Sequence, residues 1–267
     1  MFHAGSLSHP FHVLKDSFLK SNTNIIIYSQ ACGSKQCIRN IIDLQKKWDI
    51  FLSADISLID SFLIPEYTST SFPFASNEMV VAYTKKSKYN DEINSRNWIN
   101  ILQKNNVKLA FSDPASDPCG VRAIGVLKLS ESFYKKPDLL EKIRFRDNNV
   151  IIRPKEVDII TLLELGEVDY TIIYKSVAVQ HKLKYLTLPD SINLSNQQLQ
   201  NWYQSHYIYY DITKNKKVYE PVNFIKYGYC VNKNSEDKNS VKEFLEFLKS
   251  STSKKILLNC GHKIIYE

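Results

Sequence analysis

Short apolar runs alternate with amphipathic segments along almost the whole chain. Each run is bounded by polar or turn-forming residues and is rich in β-branched and aromatic side chains, which is typical of buried strands. The runs predict strands at residues 24–28, 50–53, 79–84, 108–112, 170–174, 183–188 and 224–231. No internal repeat and no low-complexity segment interrupts the pattern.

The segments between these runs follow a helical period. Helices are predicted over residues 10–20, 36–48 and 156–165, over a segment that contains 241–248, and over a short segment that closes at Gly261. The third helix stops at Gly166, a residue type suited to the left-handed position after a helix. Alternation of strands and helices predicts an α/β protein with parallel sheets and right-handed crossovers.

Two polar stretches, residues 85–96 and 188–200, divide the pattern. They bracket a central block, which fits one lobe inserted between the two halves of another. We therefore predict a discontinuous first lobe, residues 1–83 plus 192–267, and an inserted second lobe, residues 84–191. The two lobes would be joined by a two-crossing hinge, with a ligand in the cleft.

Composition narrows the class of protein. The 267 residues are 43% hydrophobic and 24% charged, which is globular and excludes disorder. No apolar run of about 18 residues is present, so no membrane-spanning segment is predicted. The 35 basic residues exceed the 28 acidic ones, giving a formal charge of +7 that favours an anionic partner. Paired lysines are spread along the chain, which disfavours nucleic-acid binding.

The five cysteines are an odd, scattered set with no C-x-x-C pair, so neither a disulfide framework nor a zinc site is predicted. Cys32 and Cys37 are close enough in sequence either to bond or to lie unbonded on one helical turn. The residues after Met1 show neither the charged nor the apolar region of a secretion signal. The sequence alone therefore indicates a cytosolic protein, or an exported one whose signal has been removed.

Three places share a local pattern in which a strand runs into a small polar turn and a helix then begins. They lie at residues 4–6, 32–34 and 117–120. Helix N-termini expose unpaired N–H groups and partial positive charge, so several together can bind an anion without Lys or Arg. Each alone is more simply an ordinary N-cap. Three in a chain with only 7 Gly favour an anion site.

Other chemistry has weaker support. Nucleotide-binding glycine motifs and the G-x-S-x-G motif of serine hydrolases are absent from the sequence. Cys119 at a helix start could be a low-pKa nucleophile, although burial or a ligand contact is the simpler interpretation. His9 with His12, or His3 with His181, lack the spacing of a metal site.

Several blocks occur in the same order in one known family. They are Phe2–Ser8, Gly33–Ser34, Ser53–Asp55, Asn77–Val80, Asp113–Pro114, Asp117–Gly120, Arg153–Glu156, Gly166–Tyr170 and Tyr174–Ala178. On these blocks, which span essentially the whole chain, the sequence resembles the archaeal-type molybdate/tungstate-binding proteins. That family supplies the substrate-binding components of ABC importers. The resemblance implies a type II periplasmic-binding-protein fold of two α/β lobes.

The resemblance also implies a site. Residues from both predicted lobes would contact the oxyanion: Gly5, Ser6 and Ser34 from one, and Asp117, Pro118, Cys119, Glu156 and Tyr174 from the other. Asp117 and Glu156 would be direct ligands to its molybdenum or tungsten, since a hard, high-valent metal accepts carboxylate oxygen. Without the resemblance, Asp117 is simply a turn or cap residue, and Glu156 is an acidic residue that complements the helix dipole.

The implied function is capture of molybdate or tungstate and delivery to a membrane permease. The protein would be a monomer without cofactor, catalysis or nucleic-acid partner, and its extracytoplasmic location rests on the family alone. Two alternatives stay open: a cytosolic oxyanion-sensing domain of the same fold, or an enzyme dependent on Cys119. The sequence does not rank tungstate against molybdate, which have nearly the same size and charge.

Overall fold

A computed structural model describes residues 1–144, 149–213 and 216–265. The strands are β1 (Phe2–Ala4), β2 (Gln30–Cys32), β3 (Ile50–Ser53), β4 (Phe72–Ser76), β5 (Met79–Tyr83), β6 (Leu109–Ser112), β7 (Val150–Arg153), β8 (Tyr170–Tyr174), β9 (Lys184–Thr187), β10 (Tyr207–Thr213), β11 (Lys216–Pro221), β12 (Lys226–Val231) and β13 (Lys263–Ile264). The mixture of strands and helices confirms the predicted α/β class.

The α-helices are α1 (Ser8–Leu19), α2 (Ser34–Ile42), α3 (Ile56–Phe62), α4 (Trp98–Leu102), α5 (Pro118–Phe133), α6 (Leu139–Arg144), α7 (Glu156–Leu165), α8 (Lys175–Gln180), α9 (Asp190–Asn193), α10 (Gln200–Gln204), α11 (Lys238–Lys249) and α12 (Ser251–Asn259). Short 3-10 helices cover Gly5–Leu7 and Gln197–Leu199. Within the described residues, no helix is both long and apolar enough to cross a membrane.

The chain divides into two compact units. The first unit comprises Met1–Asn77 with Lys226–Glu267, and the second unit comprises Glu78–Ile225. The predicted boundaries differ from this division, because residues 78–83 and 192–225 belong to the second unit. Strand β5 is hydrogen-bonded between β8 and β9, and the β10–β11 hairpin packs against α5. These pairings are long-range and leave no local mark in the sequence.

The first unit is built on a mixed sheet with the order β13-β4-β12-β3-β1-β2. Strands β3, β1 and β2 are mutually parallel, whereas β12 is antiparallel to both β3 and β4. The predicted apolar face of α1 is buried, and Phe18 meets Phe244 of α11 edge to face with ring centroids 5.3 Å apart. Cys37, Ile38 and Ile41 of α2 join the core that also contains Phe51.

The second unit holds a five-stranded sheet with the order β7-β6-β8-β5-β9 and the separate hairpin. Strands β7, β6 and β8 are parallel, but β5 is antiparallel to both of its neighbours. The prediction of parallel sheets is therefore wrong for β5 and β12. Each of these strands enters its sheet directly from the other unit. No crossover helix precedes them within the sheet, so the right-handed crossover rule does not fix their direction.

The predicted strand at residues 24–28 is also wrong. The edge strand is the short β2 further along, whose Gln30 pairs with Phe2 of β1. Residues 24–28 precede this register, and Ile26 and Tyr28 are 74% and 80% exposed. The apolar composition of this segment therefore led to a wrong prediction of a buried strand. Helix α2 ends at Ile42, earlier than predicted, and Trp48 reaches the core from the following loop.

The remaining predicted elements appear within a few residues of their expected bounds, and β3, β8 and α7 match them fully. Gly166 and Gly261 follow helices with φ of +82° and +84°. This is the left-handed conformation that favours glycine, as the pattern of helix ends indicated.

Candidate functional site

The first group of predicted site residues, Gly5, Ser6 and Ser34, lies at one edge of the first unit's sheet. Gly5 and Ser6 directly follow β1, and Ser34 comes two residues after β2. Because β1 and β2 are adjacent and parallel, their carboxyl ends meet at the same edge. All three residues are buried, and none carries a charge. Such an edge is where open α/β sheets bind ligands.

Ser34 is held in place by the neighbouring strand. Its Oγ accepts a hydrogen bond from the Ala54 backbone N–H at 3.0 Å, just beyond the end of β3. Ser34 is the first residue of α2, and Gly33 precedes it as the N-cap without a side-chain cap. The first group therefore combines backbone N–H groups at a helix start with a hydroxyl at a fixed position.

Ser6 belongs to a buried polar chain that the sequence analysis missed. Its Oγ lies 2.9 Å from the Tyr227 hydroxyl, and Asn77 Nδ2 donates to that hydroxyl at 3.2 Å. The Tyr227 ring packs edge-on against His262, with centroids 5.3 Å apart. Burial lowers the pKa of His262 to about 4, so this ring is neutral at pH 7. Tyr227 lay within a predicted strand, but its partner across 221 residues has no sequence signal.

The question left open for Cys32 and Cys37 has an answer in the structure. The two side chains form a disulfide with a Cα–Cα distance of 5.6 Å. It links the end of β2 to α2 and so brackets Gly33 and Ser34. The other cysteines, Cys119, Cys230 and Cys260, form no disulfide and are buried.

The second group, Asp117, Pro118, Cys119, Glu156 and Tyr174, lies at the carboxyl edge of the parallel strands β7, β6 and β8 in the second unit. Asp117 follows β6, Glu156 follows β7, and Tyr174 is the last residue of β8. Since β6 is the middle strand of the three, the loops that follow them are neighbours. The structure thus brings the five predicted residues together within their unit.

Asp117 accepts hydrogen bonds from two other residues of this group. It is the N-cap of α5, and its Oδ1 accepts from the Cys119 backbone N–H at 3.0 Å. Its Oδ2 accepts from the Glu156 backbone N–H at 3.0 Å, at the first residue of α7. One buried carboxylate therefore satisfies an N–H at the start of two helices. Pro118 occupies the first turn of α5, where its missing N–H carries no cost.

Glu156 is a buried carboxyl of the site with incomplete hydrogen bonding. It is 1% exposed, and its Oε2 makes no hydrogen bond within the described part of the chain. Burial raises the pKa of this carboxyl well above its usual 4.5, and the neighbouring Asp117 charge and a hydrogen bond between the two carboxyls raise it further. A second negative charge is costly here without an electrophilic partner.

The surroundings of Cys119 disfavour the thiolate form, whereas those of a catalytic thiol favour it. It is buried, and burial followed by the charges of Asp117 and Glu156 raises the pKa of its thiol well above the ordinary value. A reactive cysteine needs a lowered pKa. Cys119 is therefore placed as a buried group at the site's base, which disfavours the enzyme alternative.

Gly120 lets the first turn of α5 approach β6. A Cβ at this position would lie 2.2 Å from the Ser112 carbonyl oxygen and 2.8 Å from the Pro114 nitrogen, both backbone atoms. Only glycine fits this close approach, which sets the position of Asp117 and Cys119. Within the described residues, this site included, no group of three or more His, Cys, Asp or Glu side chains could hold a metal ion.

Two α/β units, each with polar helix starts at the carboxyl edge of its parallel strands, define a ligand-binding protein of the solute-binding class. The chain belongs to the family of bacterial extracellular solute-binding proteins, whose sequence profile matches residues 1–262. This is a non-enzymatic family, in agreement with the expectation that the chain is not an enzyme.

Individual relatives agree with this membership. An uncharacterized solute-binding protein of Petrotoga mobilis is 44% identical over 76% of this chain, an alignment that spans 63% of that relative, less than two thirds of its length. The molybdate/tungstate-binding protein WtpA of Pyrococcus abyssi is 40% identical over 96% of this chain and 81% of its own length.

A solved structure supports the fold. The periplasmic molybdate-binding protein of Azotobacter vinelandii superimposes with a TM-score of 0.70, at 15% identity, over 98% of this chain and 96% of that chain. The predicted type II periplasmic-binding-protein fold is thereby confirmed.

Proposed function

We propose that this chain binds molybdate or tungstate through both groups of site residues and delivers it to the permease of an ABC importer. The observation that carries the proposal is the buried Glu156 carboxyl beside Asp117, with an oxygen that lacks a hydrogen-bond partner in the described residues. A carboxyl in this position is costly for an empty protein, and it is suited to bond to an electrophilic centre.

Carboxylates repel an ordinary oxyanion. Two of them at the site therefore favour a ligand whose central atom can itself bond to a carboxylate oxygen. Sulfate offers them only negatively charged oxygens. Hexavalent molybdenum and tungsten are hard centres that accept additional oxygen ligands, and a carboxylate can then bond to the metal itself. We propose Asp117 and Glu156 as these ligands, with the metal as part of the transported cargo.

The first group would contribute neutral donors. Gly5, Ser6 and Ser34 stand at helix starts, where backbone N–H groups and hydroxyls bind oxyanions without adding charge. The formal net charge of +7 then serves at most to attract anions over a distance. The names of the Pyrococcus abyssi relative and of the Azotobacter vinelandii structure support the same ligand class.

The direct test is isothermal titration calorimetry with tungstate, molybdate, sulfate and phosphate, combined with thermal unfolding. We expect binding of tungstate and molybdate and much weaker binding of sulfate and phosphate. A ligand at a thousand times its dissociation constant adds about 4 kcal/mol to the free energy of unfolding. Absence of binding to both metal oxyanions would overturn the proposal.

The role of the carboxylates is tested by Glu156→Gln against a matched control, Asp158→Asn. Both variants replace a carboxyl group in the first turn of α7 by an amide, but Asp158 is exposed whereas Glu156 is buried. We expect Glu156→Gln to weaken tungstate binding at least tenfold, about 1.4 kcal/mol, and to reduce the preference for tungstate over sulfate. Asp158→Asn should leave both unchanged, and equal effects would contradict direct ligation.

Delivery to a permease and an extracytoplasmic location are part of the proposal, supported by the family's description as extracellular. Vesicles that contain the cognate permease should take up tungstate only when the loaded protein is added to the outer side. Uptake that is independent of the protein would contradict delivery.

A further inference from the structure

The hydroxyl of Ser6 is the end of a buried hydrogen-bond chain that begins at Asn77 and passes through Tyr227. Asn77 Nδ2 carries only hydrogens, so it must donate to the Tyr227 oxygen, 3.2 Å away. With the Asn77 amide donating to its oxygen, the phenol has its own proton available for Ser6 Oγ, 2.9 Å away, although either hydroxyl can donate in this pair. When the phenol donates, Ser6 accepts through its oxygen and has its own proton available for another acceptor.

The groups around Tyr227 hold its ring, and with it the phenolic oxygen, in place. The ring is fully buried and packs edge-on against Phe74, with centroids 6.2 Å apart, and against His262. The His262 ring is neutral at pH 7, so no cation competes for the phenolic oxygen. Asn77 follows β4 and Tyr227 lies on the adjacent β12, so these two members of the chain are held by neighbouring strands of one sheet. Such a buried polar network can favour one pattern of hydrogen bonds.

We propose that Tyr227 and Asn77 are positioning residues that present Ser6 as a hydrogen-bond donor to the oxyanion. The inference rests on the proposed function, since it assigns Ser6 its role in that site. An oxyanion has only acceptor oxygens, so a serine hydroxyl whose proton is directed inward cannot donate to it. The two buried residues thus act through Ser6 and do not touch the ligand themselves.

The test is a double-mutant cycle measured by titration with tungstate. Tyr227→Phe keeps the packed ring and removes the hydroxyl, and we expect tungstate affinity to fall about tenfold. In a Ser6→Ala background the same substitution should cause no further loss, because its target is gone. A merely structural role of Tyr227 would give the same loss in both backgrounds.

Tyr229→Phe is the matched control. Tyr229 lies on the same strand, is as buried as Tyr227, and packs against Phe72 and Phe74. Its substitution should leave tungstate affinity unchanged in both backgrounds. If it weakens binding as much as Tyr227→Phe, the effect comes from general loosening of β12 and the inference fails.

Asn77→Leu provides a second, independent variant. Without the amide donor, the phenolic oxygen can accept the Ser6 proton, so tungstate affinity should fall as in Tyr227→Phe. In the Ser6→Ala background, Asn77→Leu should cause no further loss of affinity. If the wild-type protein binds tungstate but the losses of affinity are additive in both double-mutant cycles, this inference is wrong and the proposed function still stands. Failure of the wild-type chain to bind tungstate or molybdate would instead overturn the proposed function, and this inference with it.

Discussion

At the scale of single residues, Asp117 organises the carboxylate group. Its two oxygens accept from the N–H groups of Cys119 and Glu156, so one side chain fixes the start of α5 and α7 together. An N-cap aspartate is a common feature, and the sequence pattern predicted that a helix begins at the polar turn of residues 117–120. The second hydrogen bond, across 39 residues, is what places the two carboxyl groups side by side.

Gly120 gives a prediction at this scale. Its added Cβ would collide with backbone atoms of Ser112 and Pro114, which have little freedom to move. We expect Gly120→Ala to lower the free energy of unfolding by about 3 kcal/mol. Gly125→Ala on the same helix is the control, because its Cβ would meet only side-chain atoms, of Val222 at 3.0 Å and of Leu194 at 3.8 Å. That variant should change stability by less than about 1 kcal/mol in chemical denaturation. Equal losses would contradict the close approach.

At the scale of elements, the β2–α2 connection is reinforced covalently. The edge strand β2 has three residues and pairs only with β1 among the described strands. The Cys32–Cys37 disulfide joins this strand to α2, whose apolar face lies in the core. A short edge strand gains little from its own hydrogen bonds, so the covalent link stabilises the turn that carries Ser34.

Reduction of this disulfide should therefore be measurable. Closing so short a loop removes unfolded-state entropy equivalent to about 2 kcal/mol. We expect a reductant to lower the unfolding free energy of the wild-type protein by about that amount. The Cys32→Ser/Cys37→Ser double variant should show no effect of reductant, since the remaining cysteines are free. A reductant effect of the same size in the double variant would disprove the assignment.

At the scale of the whole molecule, stability depends on buried histidines. Burial lowers the pKa of both His3 and His262 from 6.5 to about 4, which keeps each ring neutral in the folded state. Between these pKa values the unfolded chain binds more protons than the folded one. The stability associated with each ring is therefore complete above pH 6.5 and is lost as the pH falls toward 4.

We expect each histidine to account for about 2 kcal/mol of lost unfolding free energy between pH 7 and pH 5. Because the pKa of Glu156 is raised, its contribution to the free energy of unfolding falls as the pH rises, opposite to that of the histidines. The measurement must therefore compare variants. His262→Gln should reduce the pH 7 to pH 5 difference by that amount in urea denaturation. His9→Gln, at an exposed position, should not change it. Equal pH dependence in wild type and His262→Gln would contradict the buried neutral ring.

The sequence by itself determined most of what depends on neighbours along the chain. The apolar pattern located β3, β8 and α7, and helix-end rules identified Gly166 because a left-handed residue must follow a helix there. The strand–turn–helix pattern picked out the small polar turns at residues 4–6, 32–34 and 117–120. Together with the family resemblance, these local features were enough for the fold class, the non-enzymatic family and the candidate residues.

Only the tertiary structure decided what depends on partners distant in sequence. The directions of β5 and β12 follow from strands that enter from the other unit, and residues 24–28 form no strand despite their apolar composition. The Asp117–Glu156 pair and the Asn77–Tyr227–Ser6 chain join residues 39, 150 and 221 positions apart. Such contacts are selected by packing of the folded sheets, and no local pattern of residues encodes them.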